Sequence, residues 1–198
     1  PTNVEIHFLK KKNSPTIVKK RYIDLVSKNK LLGVYKINDE PLDKTQEKVL
    51  NKKFSQLSKK SNLIVVSDYG HGFIPKSLIK KLNYSKQTVA LNAQINASNV
   101  SFHSLNEYKN IDCVIINERE LRHQLRNRNS DIKQLLKKIS FEKKYKNIIV
   151  TRGSQGAIMF DSKFKKMYFC SAFANKIVDK VGSGDSMLSL VSLSVKNK

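Results

Sequence analysis

The sequence predicts an α/β fold, in which a mainly parallel sheet carries helices on both faces and a small β lid precedes it. The first observation is a set of short, unbroken apolar runs that end in polar residues or glycine: NLIVVSDYG, TVALNAQ, CVIINERE and NIIVTRGSQG. Strands without polar alternation are typical of parallel sheets with both faces buried. The second observation is that amphipathic helical segments alternate with such runs, which is the chain order of α/β proteins.

The first 40 residues lack this order and predict the β lid, whereas residues 41–198 predict the α/β core. Three segments rich in β-branched and aromatic residues are separated by Lys, Asn, Ser and Pro: EIHFLK, PTIVKKRYI and KLLGVYKI. Such segments are typical of short strands joined by turns. We therefore expect a small sheet or flap at the start of the chain.

Helices are predicted from apolar spacing and from terminal signals. Pro75 begins one that runs through Leu82, because proline is accepted in a first helical turn, and the tail from Ser183 predicts another. GAIMFD and KMYFCSAF predict a hairpin pair. Two longer segments place their apolar residues on one face: Val49, Leu50, Phe54 and Leu57 in residues 42–60, and Ile132, Leu135, Leu136 and Ile139 in residues 132–145.

The basic composition raises the question of nucleic-acid binding. The formal net charge is +22, from 38 Lys and Arg against 16 Asp and Glu, and basic surfaces bind phosphate backbones through counterion release. The excess is mostly lysine dispersed along amphipathic segments, as expected for an A/T-rich coding sequence. The sequence contains no zinc-finger spacing, aromatic RNP signature or arginine-rich helix. We therefore expect no specific nucleic-acid partner.

Nothing in the sequence predicts a membrane span or export. No stretch approaches the roughly 18 to 20 apolar residues that a spanning helix needs, and the N-terminus lacks the charged and apolar regions of a secretory signal. Cys113 and Cys170 lie in short apolar runs, where buried thiols are more common than disulfides or metal ligands. We expect a cytoplasmic protein with no membrane partner.

Polar residues at the ends of the predicted strands are candidates for ligand binding, because ligands of such sheets bind outside the carboxyl ends of the strands. Asp68 ends the first run, and Asn92 lies near the end of the second. Both are candidate substrate contacts. The alternative for each residue is a structural cap or turn.

The segment Gly182-Ser183-Gly184-Asp185 directly precedes the last helix. Its glycines allow a sharp turn, and a first helical turn presents amide groups and a positive dipole end, which suit an anion. Asp185 adds a carboxylate that can take a proton from a hydroxyl. The alternative is an ordinary helix start capped by Asp185. A Walker P-loop and a dinucleotide fingerprint are excluded, because Gly-Lys-Ser/Thr is absent and Met187 stands three positions after Gly184.

Two further motifs lie at strand ends. The glycine turn TRGSQG, from Thr151 to Gly156, suits either a nucleotide contact or a tight hairpin. In NERE, Asn117 and Glu120 lie one helical turn apart. They either cap a helix or hold a magnesium–phosphate cluster through water.

Together these motifs resemble the ribokinase, or PfkB-type, carbohydrate kinases. The ordered set is Asn117-x-x-Glu120, Thr151-x-Gly153-x-x-Gly156 and Asp179-x-x-Gly182-x-Gly184-Asp185. The resemblance extends from about Pro15 onward and is closest to the kinase part of bifunctional heptose-phosphate kinase/adenylyltransferases. It implies a ribokinase-like fold and ATP-dependent transfer of a phosphoryl group to a sugar or sugar phosphate. Its most specific form is 1-phosphorylation of heptose 7-phosphate in ADP-heptose synthesis.

The resemblance also implies roles for individual residues. Asp185 is the expected catalytic base, and Mg²⁺ accompanies the ATP. The lid is expected to pair two subunits as a homodimer. The remaining implied sites are an anion hole at Gly182, Ser183 and Gly184, ATP contacts at Asn117, Glu120, Thr151, Gly153 and Gly156, and a water-mediated magnesium contact at Glu120.

The sequence also departs from the family pattern. Family members carry an earlier glycine-rich segment and further chain after the GSGD helix, so we expect this sequence to be a piece cut at both ends. Ser183 replaces the motif alanine, and His71 replaces the lysine that follows Asp-Tyr-Gly in heptose kinases. A non-catalytic nucleotide-binding relative is therefore the alternative to a kinase.

Overall fold

The computed structural model describes residues 3–27, 29–94, 103–173 and 182–197. These ranges contain a β-hairpin followed by strands that alternate with helices. The strands are β1 (Val18–Ile23), β2 (Lys30–Lys36), β3 (Leu63–Asp68), β4 (Thr88–Ala93), β5 (Cys113–Asn117), β6 (Asn147–Thr151), β7 (Ala157–Asp161) and β8 (Lys166–Cys170). The helices are α1 (Lys44–Ser58), α2 (Lys76–Asn83), α3 (Glu118–Gln124), α4 (Ile132–Lys143) and α5 (Ser183–Lys196).

The main sheet has six strands in the order β3-β4-β5-β6-β7-β8. Strands β3 to β6 are parallel neighbours, whereas β7 and β8 add an antiparallel hairpin at one edge. The predicted α/β class and hairpin are confirmed. The expectation that Cys170 is buried is wrong: its thiol is exposed, because β8 is the edge strand of this sheet.

Successive residues of the central strands point to opposite faces of the sheet and build two apolar layers. The layer against α2, α3 and α4 contains Val89, Leu91, Val114 and Ile116. The layer against α5 contains Ala90, Cys113, Ile115, Ile149 and Leu188. Burial on both faces explains why these strands are continuous apolar runs.

The lid consists of β1 and β2, which pair as an antiparallel hairpin. The strand expected at EIHFLK is not formed, and residues 5–10 have no regular structure. The physical reason is visible at the end of this segment, where the Gln46 side chain of α1 donates to the Lys10 carbonyl and accepts from the Lys12 amide. Backbone groups that bond to a helix side chain do not form a ladder with a neighbouring strand.

The four predicted helices are confirmed with small shifts at their ends. Asp43 accepts from the Gln46 amide and starts α1 two residues later than the apolar pattern indicates. Helix α4 ends at Lys143, because the left-handed backbone of the next residue, Lys144, stops it. No helix in the described ranges is long and apolar enough to cross a bilayer.

An ion-pair cluster ties the end of β5 to the turn after β6. Glu118 accepts from the Arg152 Nε at 2.8 Å and from the Arg122 guanidinium at 2.7 Å. These contacts, led by the Arg152 hydrogen bond, hold the pKa of the Glu118 carboxyl below its usual range. The cluster therefore connects two of the strand ends at which the sequence predicts ligand contacts.

Replacement of Leu188 by Ala should destabilise the fold by about 2–5 kcal/mol, because this side chain is 2% exposed and fills the layer between α5 and the sheet. Leu190, on the same helix, is 70% exposed, so Leu190→Ala should change the free energy of unfolding by less than about 0.5 kcal/mol. Urea unfolding of both variants checks this. Equal losses would mean that α5 does not pack through Leu188.

Replacement of Glu118 by Gln should reduce stability near pH 7 but not in acid. The folded-state pKa of Glu118 lies below its unfolded value, so its stabilisation is present above the unfolded pKa of about 4.3 and is lost as the pH falls through the folded pKa. We expect about 1 kcal/mol between wild type and variant at neutral pH, shrinking as the pH falls. Unfolding measured against pH tests this.

The matched control is Glu142→Gln, whose partner Lys138 is 3.9 Å away in an exposed pair. Such pairs contribute little, so this variant should follow the wild-type curve. A constant gap between wild type and Glu118→Gln down to the lowest pH would contradict the electrostatic account.

Candidate active site

Asp185 lies in the first turn of α5 and meets the end of β3. Its carboxylate accepts hydrogen bonds from the Tyr69 hydroxyl at 3.1 and 3.2 Å and from the Ser67 hydroxyl at 3.3 Å. A Cβ built on Gly184 would lie 4.0 Å from the Asn92 side-chain nitrogen, near the end of β4. The GSGD segment therefore lies at the carboxyl edge of the parallel strands, where ligands of such sheets bind.

The start of α5 is a glycine turn without a side-chain cap. Gly182 is the N-cap, with φ of +82°, and its carbonyl accepts from the Ser186 amide at 2.9 Å. Among the described residues, no atom lies within 4 Å of the position that a Cβ on Gly182 would take. Within that part of the chain, the first-turn amides and the positive helix end therefore meet no neighbour at this point, which is the geometry that an anion needs. The anion hole at Gly182, Ser183 and Gly184 stays a prediction.

The Tyr69 hydroxyl keeps its proton in this environment. Burial is the main cause that raises the Tyr69 pKa, and the nearby Asp185 carboxylate raises it further, although the Ser67 contact opposes them. Tyr69 is therefore a hydrogen-bond donor to Asp185 at physiological pH.

A cavity of about 670 Å³ is lined by the N-terminal segment, by residues that flank the lid hairpin and by the end of β3. Its lining includes Ser67 and Tyr69, which hold Asp185, and also Lys10 and Lys11. The Lys11 ammonium donates to the Asn38 carbonyl at 2.8 Å. Burial lowers the pKa of Lys11, and the charges of Asp39 and Glu40 oppose that shift. The two residues that hold the candidate base and two lysines therefore line the same cavity.

His71 anchors the lid to the core. It is 7% exposed, and its Nδ1 lies 2.7 Å from the Asp39 carboxylate, just after β2. Its Nε2 lies 3.1 Å from the Nζ of Lys19 on β1. An ionised Asp39 only accepts, so Nδ1 carries the proton and Nε2 accepts from the ammonium. Strand β1 and the segment after β2 are thus connected to this one side chain, whereas the sequence indicated only a departure from the heptose kinases.

Asp68 faces away from Asp185. Its two oxygens accept from the Gly70 amide at 2.9 Å and from the Tyr108 hydroxyl at 2.6 Å, and His103 lies 3.7 Å away. The Asp68 side chain also lines a second cavity, of about 1090 Å³, on the α2 side of the sheet. These contacts position the β3 end, while a substrate contact of Asp68 stays a prediction.

Asn92 also has a structural partner. It is buried, and its Nδ2 donates to the Ile115 carbonyl of β5 at 2.9 Å. This hydrogen bond holds Asn92 beside Gly184 at the carboxyl edge. Its expected contact with substrate stays a prediction.

Asn117 and Glu120 form the capping box that starts α3. The Asn117 side chain accepts from the Glu120 amide at 2.9 Å, and the Glu120 carboxylate accepts from the Asn117 amide at 2.8 Å. Glu120 is 4% exposed. A direct metal bond does not fit a carboxylate that is buried and engaged in this way. In the described residues, no group of three or more His, Cys, Asp or Glu side chains is arranged to hold a metal ion.

The turn after β6 combines one tight glycine and one open glycine. Gly156 has φ of +78°, and a Cβ there would lie 1.9 Å from the Cys170 carbonyl oxygen. Gly153 has φ of +59°, and no atom of the described residues lies within 4 Å of its Cβ position. Thr151 pairs with Asn117 across the parallel β5–β6 ladder, so this turn lies beside the start of α3. An approaching ligand therefore meets bare backbone at Gly153, and the ATP contacts stay predictions.

Sequence reasoning missed Ser67, Tyr69 and Lys19. Asp68 drew attention because it ends a strand, yet side chains of a strand alternate between faces. Ser67 and Tyr69, on either side of Asp68, therefore face α5. The alternation of strand side chains could have predicted this from the sequence. The contact of Lys19 with His71 spans 52 positions, and no local pattern indicates it.

The chain matches known proteins over nearly its whole length. Residues 2–194 match the model of the pfkB family carbohydrate kinases. The chain is 24% identical over 192 residues to the Bifunctional protein HldE of a Nitratiruptor species, covering 95% of this chain and 39% of that protein. The chain thus spans well under half of this curated relative.

Solved structures share the fold. Ribokinase from Thermotoga maritima superposes with a TM-score of 0.68 at 13% identity, covering 92% of this chain and 57% of that one. Phosphofructokinase-2 from Escherichia coli, in complex with potassium, gives a TM-score of 0.64 at 18% identity, covering 84% and 54%. With the family model matched over residues 2–194 and this ribokinase-like fold, the chain belongs to the pfkB family of carbohydrate kinases.

Proposed function

We propose that the intact protein is an ATP-dependent kinase that phosphorylates a hydroxyl of a sugar or sugar phosphate. The observation that carries the proposal is the position of Asp185. It lies in the first turn of α5 and is held by Ser67 and Tyr69, which also line a cavity at the end of β3. A base beside a helix N-terminus suits phosphoryl transfer, which depends on positioning and on stabilisation of charge.

In this proposal Asp185 takes the proton of the attacking sugar hydroxyl. The first-turn amides of α5, from Gly182 to Gly184, donate to the transferring phosphoryl group, and the positive helix end stabilises its charge. The open backbone at Gly153 lies along the nucleotide. Mg²⁺, when bound with ATP, neutralises phosphate charge. The buried capping role of Glu120 supports, at most, an indirect contact with the metal.

The lysines of the cavity favour a phosphorylated substrate. Lys10 and Lys11 border the same cavity as the residues that hold Asp185, and ammonium groups are common phosphate ligands. The finer proposal is a heptose 7-phosphate 1-kinase of ADP-heptose synthesis. The likeness to HldE supports it at 24% identity, whereas His71 departs from the heptose-kinase pattern.

We also propose that the lid pairs two subunits. Lys19 points toward the core, where it meets His71, so the alternate residues of β1 and their partners on β2 form the outer face. Four of the six residues on that face are apolar and exposed: Val18 is 40% exposed, Tyr22 53%, Leu32 55% and Val34 49%. The other two are Lys20 and Lys36, which are also exposed. Exposed apolar patches of this kind mark interfaces, and a second copy of the same hairpin would cover this one.

Replacement of Asp185 by Asn should lower kcat by about 10²- to 10⁴-fold and leave the KM for ATP close to wild type, because the variant loses the base but keeps the shape. The assay is ADP release by the intact protein with a panel of sugars, each with and without a phosphate group. We expect higher kcat/KM for the phosphorylated member of each pair. Asp131→Asn is the control, since asparagine also caps α4.

Full activity in Asp185→Asn would show that Asp185 is not the base. ATP binding by calorimetry, with no turnover of any sugar, would instead support the non-catalytic alternative. Higher kcat/KM for the unphosphorylated sugars would contradict only the proposed role of the lysines and would not affect the role of Asp185.

Replacement of Leu32 by Asp should convert a lid-paired dimer into monomers, because a buried, unpaired carboxylate opposes association. Val49 on α1 is 52% exposed and lies outside the hairpin, so Val49→Asp adds the same charge as a matched control. Sedimentation analysis of the intact protein checks both. A wild-type monomer, or a dimer that survives Leu32→Asp, would contradict pairing through the lid.

A further inference from the structure

We propose that Tyr69 is a positioning residue, whose hydroxyl orients the Asp185 carboxylate while Lys19 of the lid lies over its ring, so that the orientation of the base depends on the position of the lid. This inference rests on the proposed function, because it assigns a partner to the proposed base. It adds two residues, Tyr69 and Lys19, that the sequence motifs do not include.

The Tyr69 and Ser67 hydroxyls both donate to the Asp185 carboxylate. The Tyr69 hydroxyl lies 3.2 Å from Oδ1 of Asp185 and 3.1 Å from Oδ2, so it bridges the two oxygens. Ser67 donates to Oδ1 at 3.3 Å. A carboxylate has about four lone-pair directions. Among the described residues these two hydroxyls are the donors to this carboxylate, so they fix its plane and leave a lone pair of Oδ2 for the hydroxyl of a substrate.

The Tyr69 hydroxyl keeps its own proton. Tyr69 donates throughout the physiological range, because burial and the adjacent Asp185 charge raise the pKa of its hydroxyl. Tyr69 therefore does not compete with Asp185 for the substrate proton. Its effect on the reaction is to orient the group that takes the proton.

The strand end that carries Tyr69 is held by the contacts of Asp68. Asp68 accepts from the Gly70 amide at 2.9 Å, which closes the turn around Tyr69, and from the Tyr108 hydroxyl at 2.6 Å. Gly70 has φ of +68°, a conformation that favours glycine. The backbone on both sides of Tyr69 is thus held by contacts on the opposite face of the sheet. The structural role of Asp68, next to Ser67 in the strand, is therefore to hold this turn.

Lys19 of the lid lies over the Tyr69 ring. The Lys19 Nζ lies 5.7 Å from the centre of the Tyr69 ring and 6.0 Å from that of Tyr35, its cross-strand partner on β2. The same Nζ lies 3.1 Å from the Nε2 of His71. A cation over an aromatic face is attracted to it. A lid movement that withdraws Lys19 therefore removes one contact that holds the Tyr69 ring, while Tyr69 in turn holds Asp185.

The test is a double-mutant cycle in the intact protein, with kcat measured by ADP release at saturating sugar and ATP. Tyr69→Phe keeps the ring and removes the hydroxyl, so we expect kcat to fall about tenfold with the KM for ATP unchanged. In the Asp185→Asn background, the same replacement should change the residual kcat by less than about twofold, because the carboxylate to be oriented is gone. Tyr84→Phe, at a residue that is 75% exposed, is the matched control and should behave as wild type.

The lid part of the proposal is tested by Lys19→Met, which keeps the length of the side chain and removes the charge. We expect kcat to fall about threefold, and this loss should also disappear in the Asp185→Asn background. Lys52→Met, at an exposed position of α1, is the control for removal of a surface charge. Thermal unfolding of every variant separates loss of fold from loss of orientation.

The outcomes are distinguishable from failure of the proposed function. If Asp185→Asn abolishes turnover but Tyr69→Phe has no effect, the kinase proposal stands and the positioning role is wrong. If Tyr69→Phe lowers kcat by the same factor with and without Asp185, Tyr69 acts on the structure or directly on the substrate. If the Lys19→Met loss persists without Asp185, the lid link is wrong. If no sugar is phosphorylated, both proposals fail.

Discussion

The packing of α5 against the sheet is the interaction on which the candidate site depends. Leu188 fills the layer formed by Ala90, Cys113, Ile115 and Ile149, and three residues earlier in the helix Asp185 meets the end of β3. The helix axis and the strand ends are therefore placed by the same apolar contact. The first turn of α5 thus presents its amides and its carboxylate at one point of the carboxyl edge. Without this layer, GSGD would be a flexible glycine turn with a carboxylate in solvent.

The end of β3 serves both faces of the sheet. On one face, Asp68 holds the turn through Gly70 and Tyr108; on the other, Ser67 and Tyr69 hold Asp185. Two residues later, His71 connects the core to Lys19 of β1 and to Asp39, which follows β2. Five consecutive residues thus link the sheet, the candidate base and the lid. Few other side chains would fit at this strand end, because its residues make hydrogen bonds to several other parts of the structure.

Much of the fold was predictable because it follows from periods in the sequence. Unbroken apolar runs indicated strands buried on both faces, and spacing such as Leu135, Leu136 and Ile139 indicated a helix face. The capping box of Asn117 and Glu120 was also readable, since its contacts span three positions. The strand expected at EIHFLK was wrong, because its end bonds to Gln46, a residue 36 positions from Lys10. Local propensity cannot anticipate a partner that folding brings from another element.

The sequence by itself determined the α/β class, the order of the elements and the motifs at the strand ends, because backbone periods and glycine turns are local properties. It also determined that Asp185 opens a helix, which follows from two glycines before an apolar run. Only the tertiary structure decided which side chains surround that carboxylate. Tyr69 lies 116 positions from Asp185, and Lys19 lies 52 positions from His71. Contacts of this range depend on how helices and strands pack, and packing is set by the whole apolar core rather than by any single segment.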